Sequence, residues 1–285
     1  NKGLELSMEY RSDPAKKFIY SANLNGAYIV NEVTDLGFVD FVNHSDFITG
    51  YAPDPTTIRS VVGQPFANYY GYIADGIYQI DDFIWQDESN PEIAHDERNY
   101  QLKESMPDPS GLFATPAPGD IKFRDVDGNG VLTAEDKQII GNSQPKLTYA
   151  FTFNASYSNF DISLLAQGVG NTDAYLTGGL IAPFWNGSGN ISQDLADNRW
   201  TFENQSTEYQ RLHVDAQRSN IISSYYIQNA AYLRLKNIQV GYKVPEELIS
   251  KMSLSSLRFF ASIENILTIT KFKGFDPERA FNKIT

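Results

Sequence analysis

Apolar and polar residues alternate with a period of two over much of this 285-residue chain, and that pattern commits it to β-strands. The clearest run is Leu147 to Tyr157. There Leu147, Tyr149, Phe151, Phe153, Ala155 and Tyr157 fall on one face, and Thr148, Ala150, Thr152, Asn154 and Ser156 on the other. The pattern resumes after Ser158-Asn159 with Phe160, Ile162, Leu164 and Ala166 against Asp161, Ser163 and Gln167, which predicts a hairpin with a short polar turn. Leu4 to Tyr10 and Phe18 to Val30 repeat the arrangement around Asp13-Pro14. A third pair, Tyr232 to Tyr242 and Leu257 to Ile269, is joined across Pro245. Its first strand changes parity between Leu235 and Ile238, which predicts a β-bulge near Asn237.

The connections between these pairs are far longer than the turns within them. One contains an insert, residues 81–145, with Pro91, Pro107, Pro109, Pro116 and Pro118; the other is a loop over 171–220 with Gly178-Gly179 and Asn186-Gly187-Ser188-Gly189. Loops this long in a compact domain are usually functional or disordered. Short turns at one end of a sheet and long loops at the other fit an outer-membrane β-barrel, whose lipid-facing and lumen-facing residues alternate. The polar faces are rich in Ser, Thr, Asn and Gln more than in Lys and Glu, which suits a crowded wet interior. A soluble β-sandwich also alternates and stays open as the alternative, although its solvent face would normally carry more charge. If the three short turns share one side of a membrane, an even number of strands separates each from the next. The weaker candidates Leu36 to Val42 and Tyr69 to Gln79 then contribute both strands or neither.

Charge narrows the function. The formal net charge is −12, and between Asp81 and Asp136 fourteen acidic residues face only four basic ones, so the rest of the chain is nearly neutral. Nucleic acid is excluded as a partner, because phosphate binding needs clustered Lys and Arg. The absence of cysteine removes disulfides, cysteine-built zinc sites and thiol catalysis. The three histidines, His44, His95 and His213, are widely spaced and do not suggest a metal site. No apolar stretch approaches the ~20 residues of a transmembrane helix.

One motif has the spacing of a calcium loop: DVDGNGVLTAED, Asp125 to Asp136. Asp125, Asp127 and Asn129 stand at positions 1, 3 and 5, Gly130 permits the sharp turn at position 6, Val131 offers a backbone carbonyl at 7, and Thr133 acts at 9. Asp136 closes the loop at position 12, where an EF-hand has a bidentate Glu. The expected metal set is Asp125, Asp127, Asn129, Val131, Thr133 and Asp136, with calcium in a structural role, pinning a long loop. The competing reading is a polar turn leading into a short helix capped near Thr133. No catalytic constellation stands out. The pairs Asp81-Asp82, Asp87-Glu88 and Asp96-Glu97 read as solvated charge, and no nucleophile elbow or phosphate loop is present, so no enzyme activity is expected. Trp85, Trp185 and Trp200 lie in the long connections, where they either stack on sugars or anchor the loops.

Several blocks together carry a family resemblance. The segments GDIKFRDVDGNGVLTAEDKQIIGNSQPKLTYAFTFNASYSNFDISLLAQGVGN (Gly119 to Asn171), AAYLRLKNIQVGYKVP (Ala230 to Pro245) and LRFFASIENILTITKFKGFDPE (Leu257 to Glu278) resemble the C-terminal barrel region of the SusC/RagA family of TonB-dependent outer-membrane transporters. NKGLELSMEYR, GYIADGIYQ and NRWTFEN are similar to the same family, in order along nearly the whole chain. The resemblance implies an all-β fold, an antiparallel transmembrane β-barrel segment of about 8–10 strands with long extracellular loops, taken from a larger closed barrel. It further implies import of oligosaccharides or peptides, a SusD-like surface lipoprotein and TonB as partners, and a place in the outer-membrane lipid. The alternative is a soluble secreted binding module stabilised by calcium.

Overall fold

The computed structural model describes residues 1–44, 58–85, 90, 92–113, 115–176, 190–213, 221–250 and 254–278. Six long strands form one antiparallel sheet. In chain order they are β1 (Lys2–Arg11), β2 (Phe18–Val30), β11 (Leu147–Tyr157), β12 (Phe160–Gly170), β15 (Tyr232–Lys243) and β16 (Arg258–Thr270), and this is also their spatial order. The first connection supplies β3 (Phe41–His44), β4 (Ile58–Val61), β5 (Asn68–Gly71), β6 (Ala74–Ile77), β7 (Phe83–Trp85), β8 (Tyr100–Leu102), β9 (Ile121–Phe123) and β10 (Gln138–Asn142). The second supplies β13 (Asp173–Tyr175), β14 (Ile227–Asn229) and a short helix α1 (Gln193–Asn198).

The sheet places every alternating apolar set on one face. Register pairs Tyr10 with Ala22, Leu24 with Phe151, Phe153 with Leu164, Ile162 with Val240 and Ile238 with Ile263, and residues directly opposite share a face. The parity change is a bulge at Lys236: Leu165 faces Asn237 while Ala166 faces Leu235, so one residue of β15 has no partner on β12. That extra residue returns Leu233 and Leu235 to the side of Ile238, Val240 and Tyr242. The opposite face carries Ser21, Asn23, Thr152, Asn154, Ser163, Gln167, Gln239 and Ser262.

This apolar face is open. Leu4, Leu6, Met8, Phe18, Leu24, Phe151, Phe160, Val240, Phe259, Ile263 and Ile269 are all exposed, and Leu4 reaches 75 %. A sandwich would bury such a face under a second sheet, and among the described residues no strand covers it. At the short-turn end one aromatic row crosses five strands in register, Phe18–Tyr157–Phe160–Tyr242–Phe259. Tyr149 stands eight residues further along β11 on the same face. The spacing is about 27 Å along the strand, or ~20 Å along the normal at a tilt of ~40°, close to the ~25 Å apolar band of membrane barrels. Tyr149 lies over Gly168, where an added Cβ would sit 2.6 Å from its ring and hydroxyl, and that hydroxyl donates to the Tyr232 carbonyl at 3.1 Å.

Both expectations about topology resolve. The links β1–β2, β11–β12 and β15–β16 are the short ones, with two sheet strands between successive turns, as the parity condition requires. The candidates at 36–42 and 69–79 contribute neither strand to the wall. Among the described residues six of the about 8–10 expected strands build the sheet; β3 and β5 have four residues each and belong to a separate sheet ordered β10-β5-β4-β3. A membrane-spanning strand needs roughly 9–11 residues.

The two long connections fold together beyond one end of the sheet. Tyr72, Ile77, Tyr78, Phe83, Phe113, Ile121, Phe123, Leu132, Trp200 and Tyr226 form a buried core drawn from both. Backbone bonds stitch them: Tyr72 N–H to the Ile222 carbonyl (2.9 Å) and Ser224 N–H back to the Tyr72 carbonyl (2.9 Å). Gly71 permits that approach, since a Cβ there would lie 2.5 Å from the Ile222 carbonyl oxygen.

Candidate functional site

The DVDGNG segment folds as a tight loop closed on itself. Gly128 and Gly130 adopt φ of 74° and 83°, the left-handed region open to glycine. The Asp125 carboxylate accepts N–H bonds from Gly128 (Oδ1, 2.8 Å) and Gly130 (Oδ2, 2.8 Å), while Asn129 and Val131 N–H groups go to Asp127 and Asn129 side chains. The Gly130 backbone N–H, ahead of that of Gly128, holds the Asp125 carboxyl below the ordinary carboxylate range. Asp136 is fully buried and clamps the two ends, accepting from Val126 N–H (2.7 Å) and Thr133 N–H (2.7 Å). Thr133 caps the turn Ala134–Asp136 by accepting from Glu135 N–H at 3.2 Å.

Of the six metal residues expected from the sequence, Asp125, Asp127 and Asp136 bring carboxylate oxygens within 4.8 Å of one another. Asn129 is joined to them through its side-chain N–H to Asp127 Oδ2 (2.8 Å), and Val131 and Thr133 follow on the same loop. Hard oxygen donors clustered this way fit a calcium ion chemically. The loop is also anchored without an ion. Leu132 is fully buried in the aromatic core, and its N–H donates to the Asp108 carbonyl at 2.8 Å. Both sequence readings, metal loop and capped turn, thus describe one backbone.

Two of the three carboxylate pairs, Asp81-Asp82 and Asp96-Glu97, lie among the described residues. Asp82 accepts from Gln79 N–H at 2.9 Å and lies 3.7 Å from Lys122, and Asp96 is exposed. Asp87-Glu88, Pro91 and Trp185 lie outside the described residues, as do Gly178-Gly179 and the Asn186–Gly189 run. Trp200 is an anchor, 3 % exposed, with its indole N–H donating to Gln79 Oε1 at 3.2 Å. Trp85 carries the Arg98 guanidinium over its ring at 4.1 Å.

A second polar centre has no signal in the sequence. Asp120, 5 % exposed, receives Arg211 Nε at 2.7 Å and His213 Nε2 at 2.6 Å on Oδ1, and Ala117 N–H at 2.9 Å on Oδ2. Burial pushes its carboxyl up, but the His213 and Arg211 contacts more than offset this and leave it below the ordinary value. Arg211 N–H also donates to the Gly119 carbonyl (2.8 Å), so the first connection is strapped to the second. Spacings of 91 and 93 residues leave no local pattern to read.

The chain has relatives of one kind. TonB-dependent receptor P3 of Formosa agariphila is 30 % identical over 279 residues, 98 % of this chain and 25 % of that protein. TonB-dependent receptor SusC of Bacteroides thetaiotaomicron is 25 % identical over 280 residues, again 98 % of this chain and 24 % of that protein. Among solved structures, the RagAB peptide importer in its open-open state superposes with a TM-score of 0.66 at 22 % identity, over 97 % of this chain and 26 % of that one. No protein-family model matches. The chain spans about a quarter of the length of the curated relatives it matches. By its open apolar wall, its strand order and these matches, the chain belongs to the SusC/RagA family of TonB-dependent outer-membrane receptors and forms a portion of their β-barrel.

Proposed function

We propose that this chain is the C-terminal barrel portion of an importer that carries oligosaccharides or peptides across the outer membrane, working with a SusD-like surface lipoprotein and energised through TonB. The carrying observation is the six-stranded wall, apolar and exposed on one face and polar on the other, with turns at one end and a folded loop body at the other. The loop body is then the extracellular side, where cargo and lipoprotein are met. No covalent chemistry is assigned, in keeping with relatives named as receptors and an importer. Calcium in the Asp125–Asp136 loop serves structure, holding the acidic insert in one shape. A soluble calcium-stabilised module would leave the wall's apolar face in water, which counts against it.

Fractionation and uptake test the reading together. The full-length receptor partitions with the outer membrane and supports uptake of an oligosaccharide or peptide that is lost when TonB is deleted. Recovery in the soluble fraction without detergent defeats the proposal.

A further inference from the structure

The segment that follows β16 turns back onto the inner face of the wall. Arg234 lies on the polar face, opposite Gln167 on β12 and Thr268 on β16. Its guanidinium donates Nε to Thr268 Oγ1 (2.8 Å), Nη2 to Asp276 Oδ1 (2.5 Å) and Nη1 to Glu278 Oε2 (2.5 Å), and Lys236 Nζ reaches both Glu278 oxygens at 2.7 Å. Pro277, between the two carboxylates, is buried. Residues 276–278 therefore sit on the lumen side of β15. Three residues before Asp276 the same segment meets the second connection. Lys273 N–H donates to Gln228 Oε1 at 2.9 Å, and its Nζ donates to the Tyr209 hydroxyl at 2.8 Å and lies 3.6 Å from Asp194 in α1. The Tyr209 hydroxyl in turn donates to Asp194 Oδ2 at 2.6 Å. Only Gly274 and Phe275 separate the two seats, so this segment straps the loop body to the wall.

The two seats differ in strength. At the wall two cations meet two carboxylates, and the Arg234 side chain is 8 % exposed. Taking its partners away leaves a buried guanidinium uncompensated, which is strongly unfavourable. At the loop body Lys273 and Asp194 are 59 % and 54 % exposed, and a pair so open to solvent contributes little. Both seats hold one short piece of chain, so any displacement of the loop body is taken up at the weaker end. We propose that residues 271–278 are a one-sided strap: the loop body lifts from the wall by parting at Lys273, while Asp276 and Glu278 stay on β15. Tyr209 and α1 share the Asp194 contact and move with the loop body. Parting there also widens the cleft of about 200 Å³ that Lys273 lines together with Asp194, Glu208 and Tyr225. The strap needs only the barrel wall and acts whatever the cargo.

Hydrogen exchange of the full-length receptor in detergent tests the order of opening. The reporters are the Ala196 and Arg199 amides of α1, bonded to the Ser192 and Leu195 carbonyls, and the Glu278 amide, bonded to Asp276 Oδ1 at 3.0 Å. Lys273→Met should raise exchange at the α1 amides by about two- to fivefold and leave Glu278 unchanged. Asp276→Asn/Glu278→Gln frees the wall seat, and should raise exchange by about tenfold or more at Lys273 and Glu278 and reach α1 as well. Lys236→Met, which leaves Arg234 both carboxylates, should repeat the pattern of the double variant at smaller size, and it serves as the test if the double variant fails to fold. Unchanged exchange in β11 and β12 certifies the wall in each case. A silent α1 in either the Lys273 or the wall-seat variant overturns the coupling, and loosening at Glu278 in Lys273→Met overturns the one-sided order.

Discussion

The sheet and the loop body are stabilised by opposite means. In the sheet, Leu4, Phe160 and Phe259 are exposed and strand pairing holds the backbone; in the loop body, Tyr78, Leu132, Trp200 and Tyr226 are buried and strands are only three to five residues long. A wall facing lipid needs no core of its own, because the bilayer takes the apolar side chains and the hydrogen-bond ladder satisfies the peptide groups. A loop body in water must build a core, and it does so from residues more than a hundred positions apart.

Substitutions that act on one region and spare the other test this contrast most sharply. The largest effect is expected for Asp120→Ala, which leaves Arg211 and His213 without their buried partner at a cost of about 3–5 kcal/mol. Hydrogen exchange should rise at the Tyr78, Gly119 and Arg211 amides and stay unchanged in β11 and β12; loosening of the strands would refute the separation. Acid acts on the same group. Its native carboxyl lies below the ordinary range, so its contribution is complete above about pH 4 and is lost as the pH falls through the lower native value. Protease sensitivity of the loop body should therefore rise at acid pH in the wild type and be already high in Asp120→Ala.

Next in size, Phe153→Arg in the middle of the lipid-facing set should cost about 2–4 kcal/mol of membrane-folded stability, while Thr152→Arg on the polar face costs far less. Equal costs in a denaturant titration in lipid would remove the assignment of faces. Calcium at a hundred times its dissociation constant should stabilise the loop body by about 2.7 kcal/mol, an increment that Asp125→Asn removes and chelation reverses. A melting curve blind to both calcium and chelator leaves the loop a capped turn. The smallest effect is Gly168→Ala, whose methyl group collides with the Tyr149 ring and the Tyr232 carbonyl, for about 1–3 kcal/mol; its reading is the melting temperature in detergent.

The legible parts were those whose information is local. Period-two runs fixed the six long strands, and even the bulge at Lys236 showed as a parity break between Leu235 and Ile238. The spacing from Asp125 to Asp136 likewise predicted three carboxylates brought together. Less legible were Phe41–His44 and Asn68–Gly71, which have strand-like composition but too few residues to cross a membrane, and length was the clue that composition hid. The Asp120–Arg211–His213 strap was invisible for a different reason. Its members meet only after two connections fold against each other, and nothing in spacings of 91 and 93 residues anticipates it.

The hairpin β11–β12 lies in the chain between the two connections that share a core. Each short-turn hairpin closes through neighbouring residues, whereas the strap from Asp120 to Arg211 closes over 91 residues that include the whole of Leu147–Gly170, at a larger cost in chain entropy. The loop body is thereby the high-contact-order part of this stretch of chain, and any binding surface it carries depends on contacts between segments that the hairpin holds apart in sequence.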